Sequence, residues 1–290
     1  MNPKYVNPYT DFGFKKIFGE EASKPLLIDF LNTLLPDNNK VKDLSFKNTE
    51  QLGQTIVDRK AIYDIYCEND KGEKFIVELQ KAKQNYFKDR TVYYSTFPIR
   101  EQAEKGEWDY KLNAVYCIGI LDFCFENPTS RINDDEVIHF VNLKDQHGRL
   151  FYDKLTYIYL EMPNFNLHEN ELKTRQEKWL YFIKNLEKTE SIPEIFSDEI
   201  FSQAFECAKL SALKGNEILA YENSLKVYRD LKGIVDTAYG DGKVEGKIEG
   251  KIEIVKNMLV GGLPIAMIAQ FTELTESEIF KIQKIQKGQM

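Results

Sequence analysis

Two acidic side chains, Asp64 and Glu78, stand in apolar surroundings on either side of a turn-rich segment. Asp64 lies among Ile62, Tyr63, Ile65 and Tyr66, and Glu78 among Ile76, Val77 and Leu79, where a carboxylate is costly to leave unpaired. The runs 62–67 and 75–80 read as strands, and Glu68-Asn69-Asp70-Lys71-Gly72 supplies the turn of a hairpin. Successive strand residues point to opposite faces, so Glu78 and Gln80 project together. A three-residue loop, Asp70-Lys71-Gly72 with Gly72 left-handed, pairs Asn69 with Glu73 and sets Asp64 opposite Glu78. A five-residue loop shifts the register by two and keeps both acids on one face. Carboxylates about 5 Å apart repel by a few kcal/mol at an effective dielectric of about 20. Protonation of one acid, a protein cation or a metal ion offsets this, and open oxygen donors suit Mg²⁺ or Mn²⁺. Such an ion activates water and stabilises charge on a phosphoryl oxygen. The competing reading is a solvent-facing polar strand, because Asp…Glu-x-Gln is short and frequent.

The elements that must position this pair are alternating. Thr10 and Asp11 precede Phe12, Phe14, Ile17 and Phe18, which predicts a capped helix, with a second helix over 26–35 ended by Pro36-Asp37-Asn38-Asn39. A strand is expected over 44–48. Tyr86, Arg90, Tyr93, Tyr94 and Phe97 recur at helical spacing within 85–106. The runs 114–123, 137–143 and 155–162 are rich in Val, Ile, Tyr and Phe, as interior strands are. Strands with helices before, between and after them give an α/β sandwich. Helical patterns follow over 172–186 and 200–231.

The last fifty residues contain Gly242-Lys243-Val244-Glu245, Gly246-Lys247-Ile248-Glu249 and Gly250-Lys251-Ile252-Glu253. On a helix this four-residue period lines Val244, Ile248 and Ile252 into one stripe and the glycines into another, a surface able to pair with a second helix. Each glycine costs about 1 kcal/mol against alanine, so a flexible tether competes with that reading. Two short helices are expected over 263–285, the first opened by Pro264 and the second by Thr275-x-x-Glu278. They resemble a helix-turn-helix, but Glu276, Ser277 and Glu278 would meet phosphate with the wrong charge, which favours packing or homo-oligomerisation.

Composition narrows the classes. With 42% apolar residues in 290, the chain fills a real core. The run 115–125 is about half of the ~20 residues that a membrane helix needs, and Met1-Asn2-Pro3-Lys4-Tyr5 lacks the core of a secretion signal, so a soluble cytoplasmic protein is expected. Cys67, Cys117, Cys124 and Cys207 form no Cys-x-x-Cys pair, and His139, His147 and His168 have no ligand spacing, which disfavours zinc hydrolysis. The net charge of −7 conceals an uneven distribution. Residues 101–200 carry −9, whereas Lys81, Lys83, Lys88, Arg90 and Arg100 against Asp89 give +4 directly after the acids. A glycosidase using Asp64 and Glu78 would need an aromatic cleft, and no motif supports one.

Tyr63-Asp64, a turn and Glu78-Leu79-Gln80 resemble the D…(D/E)xK pattern of PD-(D/E)XK nucleases. The likeness extends to Asp11-Phe12-Gly13-Phe14-Lys15-Lys16-Ile17-Phe18, Asn48-Thr49-Glu50, Phe75-Ile76-Val77 and Arg90 with Tyr93-Tyr94. Together with the Gly-x-x-Glu repeats and terminal helices, these resemble the Rpn-type recombination-promoting nucleases, or PD-(D/E)XK family transposases, over nearly the whole chain. The resemblance implies a restriction-endonuclease-like mixed sheet flanked by helices, residues 1–170, then a helical extension, 171–240, and a repeat helix with a terminal helical hairpin, 241–290. It implies a cytoplasmic bacterial DNA endonuclease that needs Mg²⁺ or Mn²⁺ and serves recombination or mobile elements.

In that pattern Asp64 and Glu78 are metal ligands, and the Leu79 backbone carbonyl is a third. Gln80 takes the place of the general motif's catalytic lysine, as is common in this branch. A neutral amide orients water by hydrogen bonds but brings no positive charge. Lys81, Lys83 or Lys60 supplies it, or the site is slow. The alternative is a nuclease fold kept as a DNA-binding or assembly module, with Gln80 marking lost activity. Asp11 is either an accessory acid or a helix cap, and Glu50 is a weaker accessory acid. Lys15 either contacts phosphate or is solvated. Arg90 either clamps a phosphate or pairs with Asp89 or Glu78.

Overall fold

The computed structural model describes residues 3–51, 61–104, 106–125 and 135–288. Lys60 lies outside them. In chain order the helices are α1 (Asp11–Phe18), α2 (Lys24–Leu34), α3 (Phe87–Glu101), α4 (Arg175–Asn185), α5 (Glu199–Cys207), α6 (Gly215–Val260), α7 (Ile265–Thr272) and α8 (Glu276–Gly288). The strands are β1 (Leu44–Phe46), β2 (Glu50–Gln51), β3 (Ala61–Ile62), β4 (Ile65–Asn69), β5 (Lys74–Gln80), β6 (Val115–Leu121), β7 (Ile138–Lys144) and β8 (Leu150–Glu161).

One mixed sheet has the order β1-β4-β5-β6-β8-β7, and β2 pairs with β3 in a separate ribbon. The central strands β5, β6 and β8 are parallel, and the flanking pairings are antiparallel. Parallel strands covered on both faces read as unbroken apolar runs, and every residue of β6 is buried. One face packs Val77, Ile118 and Ile158 against α1, α2, α4 and α5 through Phe14, Phe30, Trp179 and Phe201. The other packs Tyr66, Ile76, Cys117 and Tyr159 under α3 through Phe87 and Phe97. Asp29 of α2 accepts from Arg175 and from Trp179 Nε1, both at 2.7 Å, and so ties α4 to α2.

Three expectations needed correction. The run 137–143 is not an interior strand: it forms β7 at the edge of the sheet, paired only with β8, and its residues are half-buried or exposed. The strand over 62–67 is broken: β3 ends at Ile62 and β4 begins at Ile65, because the Tyr63 N–H turns to the Thr49 carbonyl at 3.0 Å. The helix over 200–231 is two helices, separated at 208–214, where the chain returns to the N-terminal segment: the Val6 N–H bonds the Ala208 carbonyl, and the Leu210 N–H bonds the Lys4 carbonyl, each at 2.9 Å.

The chain divides into compact units of 1–231 and 232–290. The second has a small core of Val255, Ile268, Ile279 and Ile282. Gly242, Gly246 and Gly250 lie inside α6, and Thr275 with Glu278 closes the expected capping box at α8: the Thr275 N–H bonds Glu278 Oε2 at 2.8 Å.

Candidate active site

The hairpin β4–β5 builds the site in the expected register. Asn69 N–H bonds the Glu73 carbonyl at 3.0 Å, and Gly72 sits at φ 77°, a left-handed position that glycine adopts without a Cβ clash. Ile65 pairs with Val77, and Tyr66 with Ile76, so the next position brings Asp64 against Glu78. There the chain has not yet entered β4. Leu79 would next bond the β4 strand, but Asp64 Oδ2 accepts its N–H instead, at 2.7 Å.

Glu78 and Gln80 share the face under α3, as alternation requires. Gln80 is buried and donates Nε2 to Glu78 Oε2 at 3.2 Å. Glu78 Oε1 is covered and has no hydrogen-bond partner among the described residues. Burial and the facing Asp64 carboxylate push the Glu78 pKa up, and the Arg90 charge only partly opposes them. Burial also raises Asp64, against the Leu79 N–H that favours its charged form; Asp11 adds to the rise, and Lys15 and Lys81 oppose it. Two half-buried acids that both resist ionisation form a place where a cation is favoured. Among the described residues no third His, Cys, Asp or Glu side chain joins them in a metal-holding cluster, so the donors on offer are two carboxylates and backbone.

Helix α1 brings Asp11, Lys15 and, across from them, Lys81 into the electrostatic surroundings of Asp64. Thr10, not Asp11, is the cap: its Oγ1 accepts the Gly13 N–H at 3.0 Å. Asp11 follows in the first turn, half-exposed, and ion-pairs with Lys15 at 2.9 Å. Gly13 permits the close approach of α1 to the preceding turn, since a Cβ there would lie 2.2 Å from the Asn7 carbonyl oxygen. Lys81 is half-buried and its pKa is lowered by burial, while Asp11 and Asp64 favour its charge and Lys15 opposes it. Glu50 is in the β2–β3 ribbon, opposite Ile62. Lys83 is exposed beyond β5.

Arg90 reaches the site from α3. Its guanidinium lies 5.3 Å from the Phe87 ring centre and 5.6 Å from that of Tyr94, and Nη1 donates to Gln84. Its buried Nε has no partner among the described residues, and the charge acts on Glu78 without a direct ion pair. The helix is held to the hairpin by the Tyr63 hydroxyl, which donates to the Tyr94 carbonyl at 3.0 Å, and by Tyr66 with Glu101.

Sequence reasoning missed Gly119. It is the β6 partner of Glu78, and a Cβ there would meet the Tyr159 ring at 3.1 Å. Its bareness leaves a cavity of about 20 Å³ beside Glu78, under Phe87, Thr91 and Tyr94, enough for about one water. A glycine interrupting the apolar run of β6 was the available signal.

No curated protein and no solved structure matches the chain. The family model described as PD-(D/E)XK nuclease family transposase matches residues 8–238, which hold the six-stranded sheet, its flanking helices and the acid pair. The mixed sheet with helices on both faces is the restriction-endonuclease-like fold of that family, whose members are nucleases that generally use divalent metals. Among the described residues no helix is long and apolar enough to cross a membrane. By that match the chain belongs to the PD-(D/E)XK nuclease family transposases.

Proposed function

We propose that the chain is a divalent-metal-dependent DNA endonuclease that hydrolyses phosphodiester bonds, in the service of recombination or element mobility. The observation that carries this reading is the facing pair Asp64 and Glu78, with Glu78 Oε1 covered and unpartnered among the described residues. Asp64, Glu78 and the Leu79 carbonyl would hold Mg²⁺ or Mn²⁺. Leu79 is a reasonable third donor because a strand residue directs its N–H and C=O to the same neighbour, and its N–H goes to Asp64. When bound, the ion would supply Lewis acidity toward a phosphoryl oxygen and lower the pKa of a water.

The remaining work falls to side chains. Gln80 spends an N–H on Glu78, which leaves its amide oxygen to accept a hydrogen from the attacking water and orient it. Lys81 supplies the positive charge that Gln80 lacks, from the Asp64 side. Arg90 offers a planar fork to a substrate phosphate, and Lys15 and Lys83 add charge at the rim. Asp11 steers Lys15 through their ion pair. The exposed stripe of Val244 and Ile248 on α6 serves pairing with a second copy.

Gln80 also favours a second reading, a nuclease fold retained for DNA binding or assembly. Plasmid DNA incubated with the protein and a series of metals separates the two. Nicking with Mg²⁺ or Mn²⁺ that stops in EDTA, and that is absent from a folded Glu78→Ala variant, is expected; binding without cleavage under every metal would leave the second reading.

A further inference from the structure

The segment between Gln80 and α3 holds a tyrosine that the reaction does not use. Tyr86 has φ 61° and ψ 26°, a left-handed conformation that costs a bulky L-residue on the order of 1 kcal/mol and that Gly or Asn adopts more cheaply. Its ring is 80% exposed. The side chain therefore contributes little packing for the strain it imposes.

Its surroundings are those of a nucleic-acid contact. Tyr86 lines an open cleft of about 400 Å³ with Lys83, Phe87, Lys88, Asp89 and Phe125, two cations against one acid, and Lys88 Nζ lies 4.6 Å from the Phe125 ring centre. Phe87 is shared: it walls this cleft and also the cavity beside Glu78, and it carries the Arg90 guanidinium. The local charge is positive, whereas the chain as a whole is acidic. Tyr110 makes the contrast. It is equally left-handed, at φ 59°, and 79% exposed, but its ring already packs tilted against Trp108, with centres 4.8 Å apart, and Asp109 balances Lys111 on either side of it.

From the exposed ring, the basic cleft and the wall shared with Glu78, we propose that Tyr86 is a stacking platform for an unpaired base beside the scissile phosphate. The preferred substrate is then DNA with a single-stranded stretch, a gap or a frayed end, since a ring beside the cleft takes the face of a base only when that base is out of the duplex stack. The inference rests on the nuclease reading for the identity of the strand but not for its test.

The test is binding, in Ca²⁺, of the intact protein to oligonucleotides carrying 2-aminopurine in single-stranded, gapped or fully paired contexts. Quenching and tighter binding are expected for single-stranded and gapped DNA over duplex. Tyr86→Ala should weaken binding about tenfold and abolish the quench, as loss of one base–aromatic stack does, and Tyr86→Phe should retain both. Tyr86→Gly suits the backbone, so it should melt at or above the parent temperature while losing affinity. Tyr110→Ala should change nothing. Equal affinity for duplex and gapped DNA, or a Tyr86→Gly variant that quenches like the parent, overturns the proposal. Metal-dependent nicking of plasmid is scored separately: stacking without nicking rejects the nuclease reading alone, and nicking without stacking rejects this inference alone.

Discussion

The Asp64 carboxylate occupies the place of a main-chain carbonyl, its Oδ2 accepting the Leu79 N–H at 2.7 Å just before strand β4 begins. One side chain thus completes the sheet and faces Glu78.

That double duty separates Asp64→Asn from Asp64→Ala. The amide keeps an acceptor for Leu79 and removes the repulsion on Glu78, so Asp64→Asn should be at least as stable as the parent. Asp64→Ala orphans a covered N–H and should fall below Asp64→Asn by about 1–3 kcal/mol. Thermal or urea melting reads the difference, and both variants should lack nicking. Equal stability of the two would show that the bond contributes nothing.

The raised pKa of Glu78 gives metal-free stability a direction with pH. Between the ordinary glutamate value and the raised one, the folded chain retains a proton that the unfolded chain has released. Stability from this group therefore falls as pH rises through that window. In EDTA at about pH 9, Glu78→Gln should melt several degrees above the parent, at about 2–4 °C per kcal/mol for a domain of this size, and the gap should close below about pH 4. Mg²⁺ should stabilise the parent and not the variant.

Gln80→Lys places a cation beside Glu78, where it should lower that carboxyl's pKa and make plasmid nicking faster than in the parent. Lys81→Ala should slow nicking in the parent and do less harm in the Gln80→Lys background. Additive effects in this double-mutant cycle would mean that the two positions do not share a role.

Arg90→Ala should weaken DNA binding about tenfold and make the salt dependence shallower by about one released counterion, and Arg90→Lys should recover only part, because a point charge does not replace a planar fork. Titration of a labelled oligonucleotide at several salt concentrations checks this.

On α6, Val244→Glu together with Ile248→Glu should shift the protein to a smaller species in light scattering and leave nicking rates within about twofold. An intact protein already monomeric at micromolar concentration would remove the basis for this pairing.

Much of this was readable from residue order. Alternation alone put Glu78 and Gln80 on one face, and Gly72 set the register that brings Asp64 against them. The long apolar runs marked β6 and β8 as interior. What escaped depended on partners distant in sequence. The break at Tyr63 follows from Thr49, the split between α5 and α6 from Lys4 and Val6, and the room beside Glu78 from Tyr159 facing Gly119. The identity of the α1 cap turned on whether Thr10 or Asp11 reached the Gly13 amide, a choice of one residue that composition does not make.

The loop 70–72 is at the far end of the hairpin from the acids, yet its length sets which way they point. Inserting one residue there, if the strands re-pair, inverts the face that Asp64 presents to Glu78, whereas inserting two restores it. Insertions and deletions in this exposed turn should therefore be filtered by odd or even count, and a lineage can lengthen it only in steps that preserve parity.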